Sequence, residues 1–184
     1  MRRLAAASAF AIALIAGSAS ADPRDQAAIA EFKRYCVDTH ARAADVAAMA
    51  QANGWKVSPA TGTGPTEWNR TDATGTYRVV AGNQTLEADM TPVRLCGFSI
   101  EPPLSGDAQA VLDGWMQGLT PAKANATDEA YFYSERNGTR TSMTLGDKTV
   151  GRALIADGSL RGVFIQTSAK TTMLGFVTSE SPPN

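Results

Sequence analysis

Apolar side chains recur at helical spacing through residues 25–53. Ile29, Phe32, Cys36, His40, Ala43, Ala47 and Ala50 follow one another at steps of three or four, which keeps them on one side of a helix. The pattern predicts one long N-terminal helix. It begins near Asp25, whose carboxylate suits the positive end, and stops at Asn53-Gly54, where a left-handed residue closes it. Alanines in its second half let the backbone lie close to its support, and Trp55 anchors the exit. On this pattern His40 is a core histidine, bonded to backbone or water.

The later stretches change period. In VRLCGFSI, residues 93–100, Cys96, Phe98 and Ile100 share one face of a strand and Leu95 lies on the other. TYRVVAGNQTLEAD, from Thr76, reads as a hairpin turning at Gly82-Asn83, with Val79 opposite Leu86 and Arg78 opposite Glu87. From Ala130 to Ser168 the sequence predicts a meander with turns at Asn137-Gly138, Gly146-Asp147 and near Asp157-Gly158. The first turn sets Glu135 opposite Arg140 and Phe132 opposite Met143. The second sets Met143 opposite Val150 and Thr141 opposite Arg152. One face then reads Phe132, Met143, Leu145, Val150, Leu154, Val163, Ile165 and is the expected core.

The opposite face carries Tyr131, Tyr133, Ser142, Thr144, Gly151, Ala153, Ile155 and Phe164, too apolar for an ordinary solvent face. Either another part of the protein covers it, or Tyr131 and Tyr133 line a shallow groove for a ligand or partner. Trp68, within the polar run Glu67–Asp72, is the tryptophan expected to be exposed and joins them as a candidate binding residue. Between the two strand-rich halves, Glu101-Pro-Pro103 breaks the chain, and Ala108, Val111, Leu112, Trp115 and Leu119 trace a short amphipathic helix with Gly118 near its end. The fold class expected is α+β: antiparallel sheet with a long N-terminal helix and a short middle helix packed on it.

The first residues bear on compartment. Met1-Arg2-Arg3, an apolar run from Leu4 to Ala16 and the small residues Gly17 to Ala21 have the layout of a secretory signal peptide cleaved after Ala21. Residues 22–177 are then a single domain and 178–184 a flexible tail. No stretch approaches the ~20 apolar residues of a membrane span. The 17 basic side chains include Arg2 and Arg3 against 18 acidic ones, so the processed chain is acidic and has no basic stripe to neutralise nucleic-acid phosphates. The expected location is the periplasm or the medium, and the expected partner is a protein or small ligand there.

Two cysteines in an exported chain make a Cys36–Cys96 disulfide the leading explanation. The rival is a metal site from Cys36, His40 and Cys96, for which no further histidine or cysteine completes the ligand set. Catalytic motifs are absent: there is no Gly-x-Ser-x-Gly elbow, and Gly62-x-Gly64 runs into proline rather than a helix. Glu67, Asp72, Glu87, Asp89, Glu129 and Glu135 are available for a carboxylate pair, but strands and turns expose most of them. The leader, the Phe-x-x-x-Cys helix ending in Gly-Trp and the later strand cysteine together resemble small exported bacterial proteins of unassigned activity. That resemblance covers the helix and Cys96, and it transfers no functional residue. The reading is an exported binding or accessory protein without catalysis, cofactor or metal, with a periplasmic hydrolase using a carboxylate site as the alternative.

Overall fold

The computed structural model of the chain describes residues 22–58, 65–85, 92–123, 128–143 and 148–179. The fold is α+β. Nine strands, counted among these residues, form one antiparallel sheet in the order β1-β2-β3-β4-β9-β8-β6-β5, with β7 also paired to β6. The strands are β1 Lys56–Val57, β2 Glu67–Asp72, β3 Gly75–Gln84, β4 Val93–Glu101, β5 Ala122–Lys123, β6 Asp128–Arg136, β7 Thr139–Ser142, β8 Leu160–Thr167 and β9 Thr172–Ser179. Helices α1 (Pro23–Phe32), α2 (Ala43–Ala52) and α3 (Asp107–Trp115) lie on one face, and α4 (Lys148–Ala156) packs on β8 and β9 from the other. Among the described residues no helix is long and apolar enough to cross a membrane.

The long N-terminal helix of the sequence pattern is interrupted. Asp22 caps α1 by accepting from the Arg24 N–H, and Pro23 opens it. The helix widens into a π-turn over Lys33–Val37 and ends. The Thr39 hydroxyl donates back to the Tyr35 carbonyl, and His40 and Ala41 both take φ 52°. The turn reverses the chain so that α2 can lie over β3. Ala41, Val46 and Ala50 are therefore the buried residues here, and His40 is exposed rather than in the core. The exit from α2 is as expected: Gly54 is left-handed, Trp55 N–H reaches the Ala50 carbonyl and Gly54 N–H the Gln51 carbonyl. Trp55 itself is buried.

Two predicted hairpins give way to other structure. There is no turn at Gly82-Asn83: β3 continues through both, pairing Gly82 with Leu95 and Asn83 with Arg94, while Val79 faces Phe98 and Arg78 faces Ser99. Leu86, Glu87 and Asp89 lie outside the described residues, as do Thr144 to Asp147. Residues 148–156, expected as a strand, form α4, which replaces the cross-strand pairings of Val150 with Met143 and Arg152 with Thr141. Gly151, Leu154 and Ile155 follow helical spacing, and Asp157-Gly158 is a helix exit. Gly158 N–H bonds the Ile155 carbonyl and Ser159 N–H the Leu154 carbonyl, as at Gly54-Trp55. The Asn137-Gly138 hairpin stands as read, with Glu135 opposite Arg140 and Met143 N–H on the Phe132 carbonyl.

With α4 inserted, β8 meets β6 in a different register. Val163 pairs with Tyr131, so Val163 and Ile165 share the tyrosine face, not the Phe132 face. Both faces are packed. Tyr35, Trp55, Tyr77, Phe98 and Phe32 cluster beneath the helices, together with Val163, Leu174 and Phe176. On the other side Ile155, Leu160, Val177 and Val93 form a smaller core with Phe132 and Leu154. There the Phe164 ring lies flat on Gly175, its cross-strand partner, and Phe132 lies on Gly162. The last strand runs through Ser179, so Thr178 and Ser179 are buried sheet residues rather than tail.

Candidate functional site

Cys36 and Cys96 are bonded, with Cα atoms 5.3 Å apart. The bond ties the π-turn to β4 and takes both thiolates away from the rival metal site. Tyr131 and Tyr133 are 3% and 1% exposed, so the tyrosine face is the covered one. The Tyr131 hydroxyl donates to Asp113 Oδ1 at 2.7 Å, and burial, then this carboxylate, push its pKa up. Burial likewise raises Tyr133 to about 12, the nearby Arg140 and Arg161 pulling the other way. Trp68 is half-buried and packs against the main core.

A recess lies between α1 and α3. Its volume is about 540 Å³, and Gln26, Ile29, Ala30, Lys33, Asp38, Val111 and Trp115 line it. Helical periodicity places it: Gln26, Ile29 and Ala30 on α1 and Lys33 at the start of the π-turn follow one another at i, i+3, i+4 and i+7, while Val111 and Trp115 are one turn apart on α3. Asp25, just beneath, accepts from the Ser105 N–H and hydroxyl and so fixes the approach of the two helices. The Lys33 ammonium lies 4.8 Å from the Trp115 ring centroid, holding the ring across the groove by a cation–π contact. The groove thus has an apolar floor with one positive and one negative side chain at its rim.

A second cluster occupies one level of the sheet, where Arg94, Thr178, Arg161 and Tyr133 are consecutive cross-strand partners on β4, β9, β8 and β6. Period two puts all four on the face of Cys96 and Val163. Arg161 is 3% exposed. Its Nη1 donates to the Leu160 and Gly158 carbonyls at 2.7 and 3.0 Å, just past the negative end of α4. Its Nε is buried with no hydrogen-bond partner, 3.6 Å from Glu135 Oε2. Glu135 is shared, its Oε1 being 3.3 Å from Arg140 Nε, and the Arg140 guanidinium lies 5.4 Å from the Tyr133 ring centroid. Burial lowers the pKa of Arg161 despite Glu135, so the carboxylate does not fully compensate the buried cation.

No protein-family model matches the chain, and neither a curated protein nor a solved structure matches it. With no relative to carry a role across, each side chain's role follows from its own surroundings.

Most of the carboxylates and the histidine singled out in the sequence are engaged by neighbouring groups. Of the carboxylates singled out in the sequence, Glu67 accepts from Ser58, Asp72 from Thr74, and Glu135 is drawn to Arg140 and Arg161. The Gln109 amide donates to both Asp113 and Glu129 and so links these two carboxylates. His40 is exposed on the turn after α1, yet partial desolvation of its ring, followed by Arg161 and Arg42, holds its pKa below the usual value. Arg161 and Arg94 went unremarked in the sequence. The available signal was parity: each stands two positions before a buried strand residue, Val163 and Cys96, and so points inward with it.

Proposed function

We propose that this is an exported, non-catalytic binding protein whose ligand is a small amphipathic molecule seated between α1 and α3. The groove carries the reading. Its volume of about 540 Å³ falls in the range of small-molecule sites, and Ile29, Ala30, Val111 and Trp115 give it an apolar floor with Lys33, Asp38 and Gln26 as the few polar groups that set orientation. The periplasm is supported by the leader pattern in residues 1–21 and by a disulfide, which persists in an oxidising compartment. A carboxylate-based hydrolase is less well supported, because Glu67, Asp72 and Glu135 are each engaged by neighbouring side chains and Asp113 and Glu129 both accept from Gln109.

The test is a thermal-shift screen of small amphipathic compounds against wild type and against Ala30→Phe, which fills the groove from the α1 side. Compounds that raise the melting temperature of wild type and fail to do so for Ala30→Phe support the reading. It fails if no compound shifts wild type, or if the shift survives in the filled variant.

A further inference from the structure

The level of the sheet that holds Arg161 has an imbalance that its own contacts leave open. Arg161 and Arg94 are partners of the same Thr178 on neighbouring strands, and both, together with Arg42, act electrostatically on His40. Glu135 is the carboxylate that faces them, while Asp45 is 2.8 Å from Arg42 at the start of α2. A guanidinium recognises an oxyanion through two parallel N–H donors, and the Nη1 side of Arg161 is already committed to carbonyls. The Nε edge is free of hydrogen bonds, and Glu135 stands beside it at 3.6 Å, in charge contact but outside hydrogen-bond range. Glu135 is one-third exposed and held from its other oxygen by Arg140, so it is free to swing outward to that partner alone. A buried cation with an unpartnered donor and a movable counter-ion is a receptor awaiting a better-fitting anion.

We propose that Arg161 and Arg94 form a binding site for an oxyanion, the carboxylate, phosphate or sulfate group of a small ligand, which takes the place of Glu135 on the Nε edge of Arg161. Arg94, half-buried on β4, supplies a second guanidinium from the strand across Thr178, and His40, on the turn between α1 and α2, feels the charge of both arginines. The site is independent of the groove, and either could exist without the other.

The coupling to His40 gives the site a pH signature. Burial, Arg161 and Arg42 disfavour the imidazolium in the empty protein, with Arg94 adding to them and Glu135 opposing. A bound oxyanion offsets the arginines and favours the imidazolium, so binding takes up a proton and tightens as pH falls. Sulfate is the suitable probe because its own charge is constant through this range.

The experiment is calorimetric titration of the full disulfide-bonded chain with sulfate, phosphate and succinate, at ionic strength held constant with chloride. Wild type is expected to bind at least one of them saturably at millimolar concentration, with succinate preferred if the natural group is a carboxylate and phosphate or sulfate if it is tetrahedral. Arg94→Gln, a half-exposed position that folding tolerates, is expected to weaken binding about tenfold, and Arg161→Gln to abolish it. His40→Gln should bind sulfate like wild type at pH about 7.5 and lose the severalfold gain that wild type shows at pH about 5.5. The proposal is overturned if none of the three anions binds saturably, or if binding is unchanged in Arg94→Gln.

Discussion

Substituting alanine for Gly175 puts one methyl where a ring already lies. A Cβ built there would stand 1.8 Å from Cζ of Phe164 and 2.2 Å from its Cε1, so the ring has to leave. The backbone does not object: Gly175 needs no left-handed conformation, and alanine in a strand interior is favoured over glycine by roughly 0.5–1 kcal/mol. Overpacking costs ~1–3 kcal/mol, so Gly175→Ala in wild type should be destabilising by about 1–2 kcal/mol net. Phe164→Ala alone, at a half-buried position, should cost about 1–2 kcal/mol, below the range for a fully buried ring. In that background the obstacle is gone, and Gly175→Ala should turn from harmful to helpful by roughly 0.5–1 kcal/mol. The double-mutant cycle then yields a coupling of about 2 kcal/mol, well above the ~0.5 kcal/mol within which independent sites add. Urea denaturation of the four proteins, followed by far-UV circular dichroism at a common m value, measures it. Equal effects of Gly175→Ala in both backgrounds would refute the idea that ring stacking on a bare backbone organises this face.

The remaining predictions concern other parts of the frame. Reducing the disulfide, which closes a separation of 60 residues, should lower stability by roughly 4 kcal/mol on the chain-entropy estimate, and the oxidised protein should show no free thiol when denatured. Arg70 grips both oxygens of Glu31 at 2.8 and 3.0 Å and lies 4.8 Å from the Tyr77 ring centroid and 5.1 Å from that of Trp55, so Arg70→Lys, which loses the planar fork, should cost about 1–2 kcal/mol in the same urea assay. His40→Gly should raise stability by about 0.5–1 kcal/mol because the position has φ 52°; a loss of stability would mean that the imidazole contributes more than its backbone costs. Asp72 is held below the usual carboxylate range first by the Thr74 hydroxyl and then by its N–H. A depressed carboxyl stabilises above its unfolded pKa, so the urea midpoint should fall as pH drops below about 4, and Thr74→Ala should shrink that fall.

Much of the frame was legible because local chemistry and packing agree. Asn137-Gly138 has one comfortable geometry, and Phe132, Glu135, Arg140 and Met143 take the register it dictates. Alternation places Cys96, Phe98 and Ile100 inward, helical spacing places Ala108 and Leu112, and the two cysteines find each other. Two of the misreadings turn on glycine. A left-handed residue closes a hairpin and a helix equally well, so Asp157-Gly158 looks the same from the sequence whether a strand or α4 precedes it. Gly82-Asn83 has the turn composition but stays extended, paired along its length to β4. The break after α1 carries neither glycine nor proline; Asp38, Thr39 and His40 tolerate it, and nothing in their pattern demands it. The groove depends on the distance between two helices 80 residues apart, fixed by Asp25 and Ser105, and no local pattern encodes that distance. The Arg161 cluster was partly readable by parity, whereas its unsatisfied Nε is a property of the assembled sheet.

The place of β9 bears on when this sheet can exist. The last strand to be synthesised among those described is the one that sits between β4 and β8, joining the four strands of the first half to those of the second. Until it arrives, β4 and β8 are raw edges and the core beneath the helices lacks Leu174 and Phe176. The partners Cys36 and Cys96 both lie in the first half, so their bond can form while the rest of the chain is still emerging, pinning α1 to a strand whose other neighbour is missing. Cooperative closure of the sheet is therefore deferred to the final described strand, and the two halves stay separate threads until it is laid between them.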